Sequence, residues 1–211
     1  MSQIIIKYIG HSCFKLTAAD VEIVIDPYAD GQVPGLEPVR EEADFVFCSH
    51  EHFDHNYREG VSIRSELSST PFSVTELMIP HDDCDGAKRG NNIVHIFKIN
   101  GLRIAHMGDI GRTLTPEEAE KLSDVDCMLI PVGGYYTVDA EAARTIITQT
   151  TPKVVIPMHY RSEGIGFDVL STVEPFIAGV DNVEYGDHEY FLTIGITGQQ
   201  VVVLKPAAAS K

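Results

Sequence analysis

The chain has 211 residues, 44% of them hydrophobic, and carries 31 acidic against 16 basic side chains. That length supports one sizeable core, and the acidic excess argues against a broad electrostatic grip on nucleic acid. No window approaches the roughly 20 apolar residues that crossing a bilayer requires, so we expect no membrane span.

The cysteines and the N-terminus predict a cytoplasmic protein. Cys13, Cys48, Cys84 and Cys127 are far apart and form no CxxC pair, which is typical of reduced thiols. Lys7 interrupts the first apolar run, which we interpret as a strand and not as a signal peptide. The oligomeric state is left open.

The first half of the chain shows the alternation of apolar and polar residues that indicates β-strands. We predict strands, with a turn at 17–20, over residues 4–9, 13–17, 21–25, 44–49, 61–67 and 74–79. The clearest hairpin covers residues 92–109, because Asn100-Gly101 suits a type I′ turn between two alternating runs.

The second half alternates between helix and strand. Thr115 is the predicted N-cap of a helix that begins at Pro116. The elements predicted after it are strand 127–132, helix 139–149, strand 153–157, helix 169–178 and strands near 183 and over 201–204. Because no repeat or linker marks a boundary, we predict one domain over residues 1–205 and a loose tail over 206–211.

The segment CSHEHFDH, which starts at Cys48, has the spacing of a two-metal motif. His50 and His52 are two residues apart, so an extended backbone directs both imidazoles to one side, toward one ion. Asp54 and His55 follow where a turn can direct them to a second ion. The pattern H-x-H-x-D-H therefore predicts a pair of metal sites.

Two ions need further ligands, and three other segments supply candidates. His81 in LMIPHDD, Asp109 in RIAHMGD and His159 in VVIPMHY each come at the end of an apolar run. A carboxylate at position 109 is able to bridge two cations. We expect these strand ends to converge at one edge of the fold.

The order His50-x-His52-x-Asp54-His55, His81, Asp109 in MGD and His159 in PMHY resembles the metallo-β-lactamase-fold hydrolase superfamily. The segments GHSCFKL, IDP, HDDCDGAKRGNN, PVGGYYTVDA and PMHY are similar to its short single-domain metal-dependent hydrolases, which are related to ascorbate-6-phosphate lactonase. The resemblance implies an α+β fold, a four-layer αββα sandwich, with two ions at the edge of its two sheets.

The resemblance also implies how the ligands divide between the ions: His50, His52 and His81 for the first, Asp54, His55 and His159 for the second, and Asp109 for both. Asp54 and Asp109 are the predicted catalytic residues. We expect divalent cations, Zn²⁺ first, with Mn²⁺, Fe²⁺ or Ni²⁺ as alternatives.

Two assignments keep alternatives. His95 and His106 compete with His81 for the first ion, but both fall inside predicted hairpin strands, where burial against a sheet is the ordinary role. Asp26 in IDP either orients a ligating histidine from beneath the site or caps a turn before a proline.

The predicted function is hydrolysis. Two cations lower the pKa of a bridging water, and the chain has no G-x-S-x-G elbow, Walker loop or G-x-G-x-x-G fingerprint. We expect a metal-bridging hydroxide that attacks a small anionic ester, lactone or phosphodiester. The alternatives are a nuclease or RNA-processing phosphodiesterase, and a non-catalytic metal-binding module.

The candidates for substrate contact are His11, Arg89, Tyr136 and Arg161. The two arginines lie near the predicted ligands in sequence and are suited to an anionic group, although each is equally typical of a solvated loop. Tyr136 either donates a hydrogen bond to substrate or packs against its neighbours. His11 either lines the site or simply ends the first strand.

Overall fold

The computed structural model describes residues 3–18, 21–64 and 71–209. Numbered along the chain, the strands are β1 (Gln3–Gly10), β2 (Cys13–Ala18), β3 (Val21–Ile25), β4 (Glu41–Ala43), β5 (Phe45–Phe47), β6 (Val61–Ile63), β7 (Phe72–Pro80), β8 (Asn91–Ile99), β9 (Leu102–His106), β10 (Cys127–Pro131), β11 (Val154–Met158), β12 (Val183–Tyr185), β13 (Glu189–Thr193) and β14 (Gln200–Val203). The helices are α1 (Pro116–Leu122), α2 (Ala140–Thr150) and α3 (Glu174–Ile177), and residues Arg58–Gly60 form a 3-10 turn.

Most strands belong to two sheets. The first has five strands in the order β13-β1-β2-β3-β5, and the second has seven in the order β12-β14-β11-β10-β9-β8-β7. Strands β4 and β6 form a separate pair. Because β3 and β5 are parallel and β1, β2 and β3 alternate in direction, β1, β3 and β5 all end at one edge of the first sheet. By the same reasoning, β7, β9, β10 and β11 end together at one edge of the second.

The two sheets pack face to face around the central core. Strand β10 is apolar throughout because both of its faces are covered. Cys127 and Leu129 face the first sheet, whereas Met128 and Ile130 face the helices. A strand covered on both faces reads as a continuous apolar run. Each fully buried aliphatic side chain contributes about 1.5–3 kcal/mol to the free energy of unfolding. Burial on both faces therefore fixes the position of the strand ends.

The outer face of the first sheet is covered differently from that of the second. Tyr28, Val33 and Val39 from the loop after β3 pack on Cys13 and Val24, with the β4–β6 pair beside them. In the described ranges the α-helices all pack on the second sheet. The predicted α+β sandwich is confirmed, with loop and short strands in place of helices in one of its outer layers.

Two local predictions are confirmed in detail. Asn100 and Gly101 have φ of 52° and 84°, the left-handed values that a type I′ turn needs between β8 and β9. Thr115 and Glu118 form a reciprocal capping box at the start of α1. Within the part of the chain that the structure describes, no helix has the length and apolar character needed to span a bilayer.

One helix and one strand are shorter than predicted, and β13 was not predicted. The helix expected over 169–178 is reduced to α3, because Ser171 bonds through its backbone to Gly133 and to Arg161 instead of continuing a helix. The sequence pattern gave no sign of β13, which pairs with β1 at the edge of the first sheet. The strand expected over 44–49 is shorter and half-buried because β5 lies at the other edge of that sheet.

The tail predicted to be loose over 206–211 is held at residues 206–209. The N–H groups of Ala207 and Ala208 donate to the carbonyls of Tyr8 and Ile9, and Glu37 N–H donates to Ala208. These backbone bonds need no side-chain signal, which is why a small-residue tail gave no hint of them. Residues 210–211, the end of the turn predicted over 17–20 and residues 65–67 of a predicted strand lie outside the described residues.

Candidate metal centre

Histidine and aspartate side chains meet where strands of both sheets end. Each belongs to a segment that directly follows a strand: His11 after β1, Asp26 after β3, His50 after β5, His81 after β7, Asp109 after β9 and His159 after β11. The predicted convergence of strand ends is therefore present. In open α/β sheets, ligands bind outside the carboxyl ends of the strands, and the side chains gathered here have the same position.

The first group of donor atoms comes from His50, His52 and His81, whose ligand atoms all lie within 4.8 Å of one another. The ring centroids of His50 and His52 are 4.5 Å apart, and those of His50 and His81 are 4.7 Å apart. His50 and His81 are buried, whereas His52 is exposed. This half of the centre opens toward solvent.

The second group comes from His11, Asp54, His55 and His159, again with all ligand atoms within 4.8 Å. The three histidines are buried. Asp54 Oδ2 lies 3.1 Å from His11 Nε2 and 3.6 Å from His55 Nε2. This half of the centre is enclosed.

Asp109 lies between the two groups. Its Oδ2 atom is 3.3 Å from Nε2 of His55, 3.3 Å from Nε2 of His159 and 3.5 Å from Nε2 of His81. The first two imidazoles belong to the second group and the third to the first group. One buried carboxylate therefore reaches both sets of donors.

Asp26 orients histidines of both groups from below. It accepts hydrogen bonds from Ser49 N (2.6 Å), Ser49 Oγ (2.6 Å) and His55 Nδ1 (2.8 Å). Ser49 Oγ in turn accepts from His50 Nδ1 at 2.9 Å. Because the Nδ1 atoms of His50 and His55 are bound in this way, their Nε2 lone pairs remain for a ligand. The orienting role considered for Asp26 is the one that its contacts match.

The backbone is strained at this centre. His11, Asp26 and His159 have φ of 57°, 49° and 52°, in the left-handed region that residues other than glycine seldom adopt. Neighbouring backbone also approaches closely, since a Cβ on Gly133 would lie 2.1 Å from the carbonyl oxygen of His159 and one on Gly111 would lie 2.1 Å from Asp82 N. Strain of this kind is typical of functional sites.

The charges in the centre stabilise one another. Burial alone would raise the pKa of Asp109, but His159 and His55 outweigh it and hold that pKa well below its usual range. Burial alone would lower the pKa of His55, but Asp109 and Asp26 raise it well above the ordinary value. Burial, helped by His55, lowers the pKa of His50 to about 3. The carboxylates are ionised, and His50 is neutral, as metal ligation requires.

The donor atoms fit divalent metal ions. Among the described residues, Nε2 of His50, His55 and His159 and Oδ1 of Asp109 are buried without a hydrogen-bond partner, and each such group costs about 1–3 kcal/mol if left unsatisfied. The 3.3–3.6 Å separations around Asp109 and Asp54 are long for hydrogen bonds. They match the spacing of two atoms that share one cation at roughly 2.0–2.2 Å.

His95 and His106, the competitors of His81, have other partners. His95 packs against the ring of Phe97, and its Nε2 atom lies 3.4 Å from Oε1 of Glu76. His106 Nε2 donates to Ser12 O at 2.8 Å, and its Nδ1 accepts from Gly108 N. Of the three candidates, only His81 lies in the first donor group.

A cavity of about 310 Å³ opens over the two groups. The residues that line it are Gln32, His52, Phe53, Asp54, His81, Arg89, Asp109, Tyr136 and Phe167. Of the four candidates for substrate contact, Arg89 and Tyr136 lie on its wall. Arg161 is not, because its Nε donates to Leu170 O at 2.7 Å and holds the side chain along its own loop. His11 lies behind Asp54 and does not line the cavity.

Sequence reasoning missed three lining residues. Gln32 and Phe167 belong to loops that meet only in the folded chain, through the bond from Gly166 N to Pro34 O, and no local pattern marks them. Phe53 lies inside the H-x-H-x-D-H motif and is 75% exposed. A large aromatic residue within a metal motif was the one signal available.

Comparisons with known proteins show which family this chain is similar to. Residues 5–159 match the model of the beta-lactamase superfamily domain. A metal-dependent hydrolase of Staphylothermus marinus is 27% identical over 96% of this chain and 96% of its own length. One of Pelotomaculum thermopropionicum is 28% identical over 74% of this chain and 84% of its own.

A solved structure is similar to this chain in fold and in sequence. A candidate Zn-dependent hydrolase of the metallo-β-lactamase superfamily from Thermotoga maritima superposes with a TM-score of 0.77 at 29% identity, and the match covers 95% of this chain and 98% of the other. The chain belongs to the beta-lactamase superfamily and has the metallo-β-lactamase fold.

Proposed function

We propose that this chain is a binuclear metal-dependent hydrolase, formed by a single domain over residues 1–205. The observation that supports it most strongly is the position of Asp109, whose Oδ2 lies within 3.5 Å of imidazoles from both donor groups. Relatives that are named metal-dependent hydrolases support the same reaction class. Zn²⁺ suits this nitrogen-rich set, and Mn²⁺, Fe²⁺ or Ni²⁺ are compatible with it.

The proposed ligands are His50, His52 and His81 for one ion, Asp54, His55 and His159 for the other, and Asp109 for both. His11, the remaining member of the second group, is left out because its 3.1 Å separation from Asp54 is that of a hydrogen bond. When bound, two such ions lower the pKa of a water ligand toward neutrality and stabilise negative charge on the substrate. Asp26 keeps Nδ1 of His55 protonated, so that Nε2 faces inward. The Asp54 carboxylate faces the cavity and is suited to orient the attacking water.

The proposed substrate is a small anionic ester, lactone or phosphodiester. A cavity of about 310 Å³ suits a small molecule. Arg89 supplies a guanidinium on its wall, which donates to Tyr135 O at 3.2 Å and lies 5.6 Å from the Tyr136 ring centroid. These contacts hold the guanidinium in place without a carboxylate partner among the described side chains, so its charge is available to an anionic group. Phe53 and Phe167 add an apolar wall.

The test is metal reconstitution followed by a turnover screen. The metal-stripped chain is reloaded with Zn²⁺, Mn²⁺, Fe²⁺ or Ni²⁺ and assayed on panels of lactones, carboxylic esters and phosphodiesters. We expect turnover that Asp54→Ala and His159→Ala each remove without loss of the folded circular-dichroism spectrum. His95→Gln, a buried histidine outside the centre, is the matched control and keeps its activity.

Three outcomes would contradict the proposal. Less than one equivalent of bound metal after reconstitution would show that the centre does not bind metal. Full metal content with no turnover on any panel would favour a non-catalytic metal-binding module. Cooperative unfolding of Asp54→Ala or His159→Ala would indicate that the metals are structural.

A further inference from the structure

His11 contacts two residues that we propose as ligands of the second ion, although it lies outside the metal motif. Its Nε2 atom is 3.1 Å from Asp54 Oδ2. Its ring packs against that of His159, with centroids 4.0 Å apart and an angle of 41° between the ring planes. Its carbonyl accepts a hydrogen bond from His159 N at 3.0 Å. One residue at the end of β1 therefore joins ligands delivered by both sheets.

The surroundings of His11 fix its conformation. Its φ of 57° is left-handed, and the hydroxyl of Tyr8 donates to its carbonyl at 3.1 Å. The ring of Phe167 meets the His11 ring edge-on at 5.5 Å. Contacts on every side of a strained residue indicate that its exact placement matters.

The contact with Asp54 has the properties of a hydrogen bond. The 3.1 Å separation is shorter than the 3.3–3.6 Å distances between the proposed ligand atoms around Asp109 and Asp54. An ionised carboxylate only accepts, so Nε2 of His11 carries the proton. The opposite tautomer would leave a buried Nδ1–H without an acceptor, since Nδ1 has no partner among the described residues, and would set a lone pair against Asp54.

We propose that His11 is a positioning residue whose Nε2–H holds the Asp54 carboxylate in the orientation that the second ion needs. The proposal rests on the proposed function, because the second ion is part of it. The Asp54 side chain is 22% exposed toward the cavity and is free to rotate outward if this bond is lost. The role replaces the substrate contact expected for His11 from the sequence.

The experiment compares three variants of the full chain by competition titration of Zn²⁺ against a chelating indicator. His11→Phe keeps an aromatic ring against His159 but removes the donor, and His11→Gln keeps a side-chain N–H. His95→Phe is the matched control, because His95 is another buried histidine packed between aromatic rings, Phe47 and Phe97.

We expect wild type and His95→Phe to bind two ions with the same affinities. In His11→Phe one of the two affinities falls about 10–100-fold while the other stays within about threefold, as loss of a residue that supports a ligand predicts. His11→Gln recovers part of the difference. Weaker binding of a single ion is a readout that does not depend on turnover.

The outcomes separate this inference from the proposed function. If wild type itself fails to bind two ions, the proposed function fails. If wild type binds two ions and His11→Phe binds both at wild-type affinity, the role of His11 is overturned and the proposed function stands.

A second measurement decides the matter if the His11 variants do not fold. In ¹⁵N-histidine spectra of Zn²⁺-loaded wild type, the proposal requires the Nε2–H tautomer for His11. An Nδ1–H tautomer with Nε2 shifted as a metal-bound nitrogen would overturn it, because His11 would then be a ligand itself.

Discussion

The two halves of the centre use similar donors but are supported differently. The half with His50, His52 and His81 includes an exposed imidazole, His52. The half with His55 and His159 is buried, and contacts from Asp26 and His11 fix its side chains. Ligands that are already held in place lose less freedom when they bind, so the enclosed half should fill first and more tightly. We therefore expect similar donors to give unequal affinities.

The largest effect is expected for the residue that both halves share. Asp109→Asn removes the carboxylate charge that faces His55, His81 and His159. We expect kcat/KM to fall on the order of a thousandfold, equivalent to about 4 kcal/mol of transition-state stabilisation, with both metal affinities weakened. Steady-state kinetics and metal titration measure this. Asp126→Asn, which alters a carboxylate bonded to Arg103 N away from the centre, is the control. A loss below tenfold would refute a shared role.

The next largest effect is expected for Asp26, which contacts His55 directly and His50 through Ser49. Asp26→Asn weakens the bonds to His55 Nδ1 and to Ser49. The metal affinities should fall about 10–100-fold, because ligand orientation is lost. The free energy of unfolding of the metal-free chain should fall by about 2–3 kcal/mol, because buried polar groups lose their partners. Ser49→Ala should affect the half with His50 more than the other. If Ser49→Ala weakened metal binding equally in both halves, the link from Asp26 through Ser49 to His50 would be contradicted.

Because one half of the centre is exposed and the other enclosed, we expect His52→Ala and His55→Ala to differ in their effects on stability and on metal binding. His52→Ala should change the free energy of unfolding of the metal-free chain by less than about 0.5 kcal/mol, because the side chain is exposed. It should remove the weaker phase of metal binding. His55→Ala should remove the tighter phase and lower stability, because His55 is buried and bonded to Asp26. Urea denaturation and titration test both, and the reverse order of affinities would show that enclosure does not decide the filling order.

The smallest effect is a pH dependence of the metal-free chain. Carboxylates raise the pKa of His55 in the folded chain. The contribution of His55 to the free energy of unfolding is therefore fully present below its unfolded pKa of about 6.5 and is lost as pH rises through its folded pKa. Burial lowers the pKa of His50 to about 3 and that of His11 to about 4, so their contributions are lost as pH falls below about 6.5.

Stability of the metal-free chain should therefore be greatest near pH 6.5, roughly the unfolded histidine pKa. Metal displaces the proton of His55, so zinc loading should release protons and shift the optimum upward. Thermal melts with and without chelator measure this. A metal-free stability that keeps rising through the alkaline range would contradict the assignment for His55.

The sequence predicted that the motif residues would lie close together, and it did so because their spacing is local. His50 and His52 share a side by the periodicity of an extended chain, and Asp109 and His159 were found because each follows a buried strand. The contacts of Asp26 fit one of its two expected roles. These residues depend on elements that the chain forms from neighbouring residues.

The remaining features depend on contacts between distant segments. The role of His11 follows from the meeting of β1 with β11, and the cavity wall at Phe167 follows from a backbone bond to the Pro34 carbonyl. Arg161 was misplaced because the loop that carries it pairs with Ser171. Tertiary pairing also shortened α3 and added β13 at the edge of the first sheet.

The proposed pair of metal sites is tested most directly by an anomalous diffraction map from crystals of the Zn²⁺-loaded chain. We expect two peaks, one among His50, His52 and His81 and one among Asp54, His55 and His159, with Asp109 ligating both. A single peak, or two peaks of which Asp109 contacts only one, would contradict it.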